Sequence, residues 1–437
     1  METKLARIAG IARTKPDEKF TSLYHNLNRE MLLQCHRELS AEKAAGVDEV
    51  TKEDYSKNLE GNIEALVEKL KRHSYKPQPV RRTYIPKDNG KKRPLGIPAY
   101  EDKIVQLGLK KILEAIYEED FLKFSYGFRP KRSCHGALEN LNDQLMGKTN
   151  YVVDADIKGF FDNVDQEWLM ELIGIRIGDP NIKRLIVKFL KAGIMEDGEL
   201  IASDVGTPQG ASISPLLGNV YLHYVLDLWF EKAVKPAMEG EANLTRYADD
   251  FVACFQYKEE AERFYRLLKE RLEKFGLEMA EDKSKIIRFG RFAATDRKRK
   301  GQGKPETFDF LGFTHYCALS RNKKFVVKRK TSKKKLKAKV KAFKVWIKGI
   351  RDQERTNEIF KQIKAKLIGH YNYYGIPHNT PMMKVYYHIV EELTFKWLNR
   401  RSQRKSFTKE KFQMYLAQNP LPEPVIKHPF GKRELAL

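Results

Sequence analysis

Arg246-Tyr247-Ala248-Asp249-Asp250-Phe251-Val252-Ala253 places two adjacent carboxylates between an aromatic residue and a strand-favouring run that continues through Cys254 and Phe255. Adjacent aspartates fit poorly in a helix or strand interior, because their side chains compete for backbone hydrogen bonds and prefer caps and turns. The pattern predicts a tight turn between two short strands, with both carboxylates offered to one hard cation. Such oxygen-only sites suit Mg²⁺, held by one or two carboxylates plus substrate phosphates. A bare Asp-Asp pair is more often a solvated turn, so the rest of the chain decides its meaning.

Working outward, Tyr151-Val152-Val153-Asp154-Ala155-Asp156-Ile157 reads as a buried strand that ends in acids, the second place where a metal ligand is expected. Only the fold can bring Asp156 to Asp249. Between them, Gly206-Thr207-Pro208-Gln209-Gly210-Ala211-Ser212-Ile213-Ser214-Pro215 is a turn-rich loop opening a long apolar helix over Leu216 to Trp229. Its small residues let a ligand approach the backbone. Upstream, Val80–Ile85 and Lys91–Pro98 flank Asp88-Asn89-Gly90, a hairpin signal, with Lys and Arg on both arms. Helices are expected over much of 20–80, and over 101–122 with Ile104, Leu107, Leu109, Ile112 and Ile116 as the apolar set. Further helices are expected over 133–145, most of 167–193, 258–275, 333–344, 355–375 and 381–400. Thr295 to Glu306 reads as a polar loop.

The charge is distributed unevenly. The 82 Lys+Arg and 58 Asp+Glu give a net +24, yet residues 316–437 hold 30 of the basic and only 8 of the acidic residues. From Arg321 to Lys348 there are 14 basic residues and no acid. A local excess of this size is the electrostatic footprint of a polyanion, nucleic acid before an anionic membrane surface. No apolar run is long enough for a membrane span or a signal peptide. The four cysteines form no CxxC pair, which fits reduced thiols and argues against a zinc ribbon.

Taken in order, these blocks resemble the reverse transcriptases encoded by bacterial group II introns, also called intron maturases. Gly46-Val47-Asp48 is similar to that family's N-terminal extension. Ile85-Pro86-Lys87 with Arg93-Pro94-Leu95-Gly96-Ile97-Pro98, and Ser125-Tyr126-Gly127-Phe128-Arg129-Pro130, match its fingers blocks. Asp156-Ile157-Lys158-Gly159-Phe160-Phe161-Asp162, Thr207-Pro208-Gln209-Gly210 with Ser214-Pro215-Leu216-Leu217, Tyr247-Ala248-Asp249-Asp250, Lys283 and Leu311-Gly312-Phe313 match its palm. The likeness covers about 290 residues and extends through the thumb to Arg401-Ser402-Gln403. Ala211 stands where the family usually has a second Gly. The Cys/His-rich C-terminal endonuclease domain of some members is missing before Leu437, so target-strand cleavage is not expected.

The resemblance implies an α+β right-hand polymerase, with fingers and palm around an antiparallel sheet, then an all-helical thumb and a short basic tail. The divisions expected are a helical extension over 1–80, fingers and palm over 81–315, thumb over 316–398 and tail over 399–437. It implies deoxynucleotide addition to a primer 3′-OH on an RNA template. Two Mg²⁺ ions, with Mn²⁺ as a substitute, would lie between Asp156 and Asp249, assisted by Asp250 and the Ile157 carbonyl. Lys87 and Arg93 would hold the triphosphate, and Phe161 would exclude a 2′-OH. Gln209 would follow the template–primer minor groove, and Lys283 would protonate pyrophosphate. Implied partners are the template–primer duplex, dNTPs, intron RNA and target DNA, in the bacterial cytosol near the nucleoid. A splicing cofactor without polymerase activity, and a domesticated relative in phage defence or DNA repair, are the other readings.

Overall fold

The computed structural model describes residues 2–86, 92–196, 198–202, 205–207, 210–401 and 407–431. Lys87, Gln209, the Asp88-Asn89-Gly90 turn and Ser402-Gln403 lie outside the described residues. The described strands are β1 (Val80–Pro86), β2 (Lys92–Ile97), β3 (Tyr151–Ala155), β4 (Ile194–Glu196), β5 (Glu199–Ile201), β6 (Ala242–Tyr247), β7 (Asp250–Phe255), β8 (Lys285–Arg288), β9 (Phe308–Phe310), β10 (Phe313–Leu319) and β11 (Phe325–Thr331). They form three sheets, ordered β2-β1-β4-β5, β6-β7-β3-β8 and β11-β10-β9. Pairing is antiparallel for β1/β2, β4/β5, β6/β7, β9/β10 and β10/β11, and parallel for the short β1/β4 contact. The chain is thus of mixed α and β content, and it divides into two compact units.

The first unit comprises Met1–Ala137 and Val153–Ile286. Its central helix, Tyr100–Asp120, buries Ile104, Leu109, Ile112 and Ile116 as the periodicity predicts. Leu107, expected among them, is only half-buried, and Gln106 is buried instead. Fully buried polar residues pin the surrounding helices. Arg176 ends the helix Gln166–Arg176 and pairs with Asp120 at 2.9 Å, while its guanidinium donates to the carbonyls of Lys15 and Glu18. Asp179 caps the helix Pro180–Leu190 and also accepts the N–H groups of Leu23 and Tyr24 at 2.7 and 2.8 Å. Without these partners the buried charges would be strongly unfavourable. The single long helix expected from Leu216 to Trp229 is instead a helix over Ser214–Leu222, followed by wider i→i+5 turns at His223–Asp227 and Phe230–Val234. Such widenings shift side chains off the regular helical phase, and here the first contains Asp227.

The second unit comprises Leu138–Val152 and Ile287–Leu437. The region expected to be all-helical from residue 316 opens with strands β10 and β11. The lysines hid a period of two: Val327, Arg329 and Thr331 are buried, while Lys330 between them is exposed. Helices follow at Lys333–Ile350, Thr356–Tyr374 and Thr380–Leu398. His370 stacks between Tyr374 and Tyr386, with centroids 4.6 and 4.1 Å away. The polar loop expected from Thr295 is partly helical, over Ala293–Arg299, and Asp296 accepts from Arg288 at 2.9 Å. The last described stretch contains the helix Lys409–Gln418. It then docks through Lys427 and His428, whose N–H groups donate to the Gly375 carbonyl at 2.7 and 3.0 Å. Among the described residues no helix is long and apolar enough to cross a membrane.

Candidate active site

The β6–β7 connection is a tight hairpin, with Tyr247 opposite Asp250 in the register and Ala248-Asp249 at its tip. Ala248 adopts φ +58, a left-handed conformation that costs a non-glycine residue about 1–3 kcal/mol. Three neighbours hold it there. The Arg246 guanidinium donates to the Ala248 carbonyl at 2.9 Å and to Asn219 Oδ1 at 3.0 Å. The same guanidinium is clasped by Asp227, with both side chains fully buried. Gly127 lies so close that a Cβ on it would stand 2.3 Å from the Ala248 nitrogen. The Ser125–Pro130 turn is tied to β6 by Tyr126 N–H donating to the Arg246 carbonyl and Arg246 N–H donating to that of Phe124, both at 2.9 Å.

Asp156 follows β3 and is held through its backbone. Its N–H donates to Ser284 Oγ at 3.2 Å and its carbonyl accepts from Ala280 at 2.8 Å, while buried Ile157 bridges Met279. Lys283 Nζ sits 3.0 Å from Asp156 Oδ2. The fold brings Asp156 and Asp249 into mutual electrostatic range. Burial pushes the Asp249 carboxyl above its usual range, the Asp156 charge pushes it further, and Arg93 and Arg246 pull it down. Crowded carboxylates of this kind are what a divalent cation relieves, and hard acidic oxygens are the donors Mg²⁺ takes. Asp250 is exposed at the start of β7, and no group of three or more metal-binding side chains occurs among the described residues.

Arg93 projects from β2 as an exposed residue whose charge acts on Asp249. Half-buried Phe161 meets Phe160 edge-on at 5.1 Å, and its carbonyl accepts the Thr207 N–H at 2.8 Å. Thus Arg93, Asp156, Asp249 and Lys283 are linked by charge.

Residues 85–315 match the family described as "Reverse transcriptase (RNA-dependent DNA polymerase)". The chain belongs to this family. Among its relatives is a protein encoded by a group II intron. The group II intron-encoded protein LtrA of Lactococcus lactis subsp. cremoris is 43% identical over 221 residues, 50% of this chain and 37% of that protein. Protein YkfC of Escherichia coli K12 is 37% identical over 279 residues, 56% of this chain and 73% of that protein. A 91 kDa protein in the cob intron of Schizosaccharomyces pombe is 38% identical over 200 residues, 45% of this chain and 24% of that protein. The chain therefore matches little more than a third of LtrA's length.

The reverse transcriptase match spans every described site residue from Arg93 to Lys283. Sequence reasoning missed Asp227 and Asn219. The available signal was an acid isolated within the apolar run Val225-Leu226-Asp227-Leu228, a position that demands a buried partner.

Proposed function

We propose that the chain is an RNA-directed DNA polymerase of the group II intron type, extending a primer 3′-OH with dNTPs. The observation that carries this reading is the convergence of Asp156 and Asp249, from separate strands, with Arg93 acting on the same carboxylate. The right-hand description fits this reading, with an extension over 1–80, fingers and palm over 81–315, a thumb over 316–398 and a basic tail over 399–437.

Asp156 and Asp249 would hold Mg²⁺, or Mn²⁺ in its place, with Asp250 and the Ile157 carbonyl assisting. When bound, the metal supplies charge neutralisation at the triphosphate and acidifies the primer hydroxyl. The protein's own part is positioning, which dominates phosphoryl transfer. Arg93, with Lys87, orients the triphosphate. Phe161 lies against the sugar and disfavours a 2′-OH, and Gln209 follows the minor groove. Lys283, whose ammonium is held in its charged form by Asp156 at 3.0 Å, would give its proton to the leaving pyrophosphate.

The basic helix Lys333–Ile350 supports binding to the template–primer duplex and to structured intron RNA. Such RNA is recognised mainly through shape and backbone contacts. Target DNA would be met in the bacterial cytosol, at the nucleoid.

Primer extension on poly-rA with oligo-dT, dTTP and Mg²⁺ tests the reading, run beside Asp249→Asn/Asp250→Asn. Extension by the wild type that disappears in the variant is expected. Salt-sensitive RNA binding by both proteins with no extension by either would replace the polymerase by a splicing cofactor.

A further inference from the structure

Asn219 joins two segments that meet at the Asp249 turn. It lies on the helix Ser214–Leu222, is only 2% exposed, and uses both ends of its amide. Its Nδ2 donates to the Gly127 carbonyl at 2.7 Å, and its Oδ1 accepts from Arg246 Nη1 at 3.0 Å. Its two partners meet again at one residue. The same Nη1 donates to the Ala248 carbonyl at 2.9 Å, and the Gly127 backbone packs against the Ala248 nitrogen. Asn219, Gly127, Ala248 and Arg246 thus form a closed circuit around the left-handed residue that precedes Asp249.

Each side of the circuit is fixed on its own. Arg129, 7% exposed, steadies the Ser125–Pro130 turn by donating to Glu118 at 3.0 Å and to the Ser125 carbonyl at 2.9 Å. Asp227 steadies Arg246. The backbone bonds of Phe124 and Tyr126 to Arg246 link the turn to β6 along one edge. Asn219 closes the opposite side. A buried carbonyl stripped of its donor is unfavourable, so without the amide the Gly127 segment would shift toward another partner and carry Ala248 with it.

We propose that Asn219 is a positioning residue for the divalent-cation site: by tying the Gly127 carbonyl to Arg246 it fixes the angle at which Ala248 presents Asp249. The inference rests on the polymerase reading, in which Asp249 and Asp156 hold the cation. Opening the circuit should weaken cation capture and slow the chemical step, with little effect on nucleotide binding.

The test uses the full chain. Asn219→Leu has similar volume and no polar atom. Asn219→Asp keeps an acceptor for Arg246 and loses the donor to Gly127, until its carboxyl takes up a proton and can donate again. Mn²⁺ binding is read by electron paramagnetic resonance, beside kcat and KM for dTTP on poly-rA/oligo-dT, with thermal midpoints in parallel. Asn219→Leu is expected to weaken Mn²⁺ binding and lower kcat, each by roughly tenfold, with KM little changed. In Asn219→Asp the deficit in Mn²⁺ binding relative to wild type is expected to shrink as pH is lowered. Mn²⁺ binding by Asn219→Leu equal to wild type would overturn the inference whatever its thermal midpoint, and would reduce Asn219 to a packing residue. Should Asn219→Leu not fold, a deficit in Asn219→Asp that pH does not relieve overturns it. Absence of extension by the wild type, with Mn²⁺ binding still weakened by the variants, would remove the polymerase reading and leave the positioning role. A wild type that neither extends nor binds Mn²⁺ would remove both.

Discussion

Arg246 and Asp227 meet in the interior of the first unit, Nε to Oδ1 at 2.7 Å and a second N–H···O contact at 2.5 Å, with neither side chain exposed to solvent. The pair joins the widened helix after Leu222 to the strand that enters the Asp249 turn. A buried ion pair is poor evidence of stability, because desolvation offsets most of the attraction. Its value lies in the remaining donors of Arg246, which reach Asn219 and the Ala248 carbonyl.

Asp227→Leu is therefore expected to destabilise the protein by about 3–5 kcal/mol, because it strands a buried guanidinium. Adding Arg246→Met should restore most of that stability. It should not restore primer extension, since the Ala248 carbonyl loses its donor in the double variant. Urea denaturation and extension assays on the single and double variants separate the two effects.

Gly127→Ala tests the other support of the turn. The new Cβ would meet the Ala248 nitrogen at 2.3 Å and the Tyr247 carbonyl carbon at 2.9 Å, both backbone atoms that cannot rotate aside. The Asp249 turn must move, and if it is the catalytic turn proposed above, a displacement near 1 Å lowers kcat by roughly 100-fold. Gly174→Ala, at a helical glycine with nothing within 4 Å, is the control and should leave both kcat and stability near wild type.

Much of the site was legible because its residues break local rules. Acids that terminate an apolar strand at Asp156, or occupy a hairpin tip at Asp249, have no comfortable place in a regular element. The supporting residues obey local rules and gain their meaning from partners remote in sequence. Asn219 reads as one polar position on an apolar helix until Gly127 and Arg246 arrive against it. The strands over 313–331 were obscured differently: lysines on the open face outweighed the alternation beneath them.

Asp102 gives the fold a dependence on pH. Burial pushes its carboxyl from 3.8 up to about 7, against the opposing hydrogen bonds from Tyr75 and the Gln78 N–H. Over that interval the folded protein keeps a proton that the unfolded chain releases. Its contribution is thus fully present below pH 3.8, and is lost as pH rises through about 7. Asp102→Asn cannot titrate, so its stability should fall less between pH 5 and 8, an interval of about three units chosen to span the transition. Thermal midpoints across that range check it. Parallel slopes in the two proteins would assign the pH dependence to other groups.

The second unit should reveal its partner through salt. The helix Lys333–Ile350 buries only Phe343 and Ile347, and its Lys337, Lys341 and Lys344 are exposed. If these ammonium groups neutralise phosphates, each releases a counterion on binding. Replacing any one by Ala should then make the slope of log K against log salt shallower by about 0.7–0.9, with similar loss for unrelated RNA sequences. Lys57→Ala, on the first unit and paired with Asp54 at 2.6 Å, should leave the slope unchanged. Binding measured by fluorescence anisotropy from low to moderate salt decides the matter. A slope unaltered by all three helix substitutions would mean that the lysines form a solvated face, and the phosphate contacts would then have to be sought elsewhere on the chain.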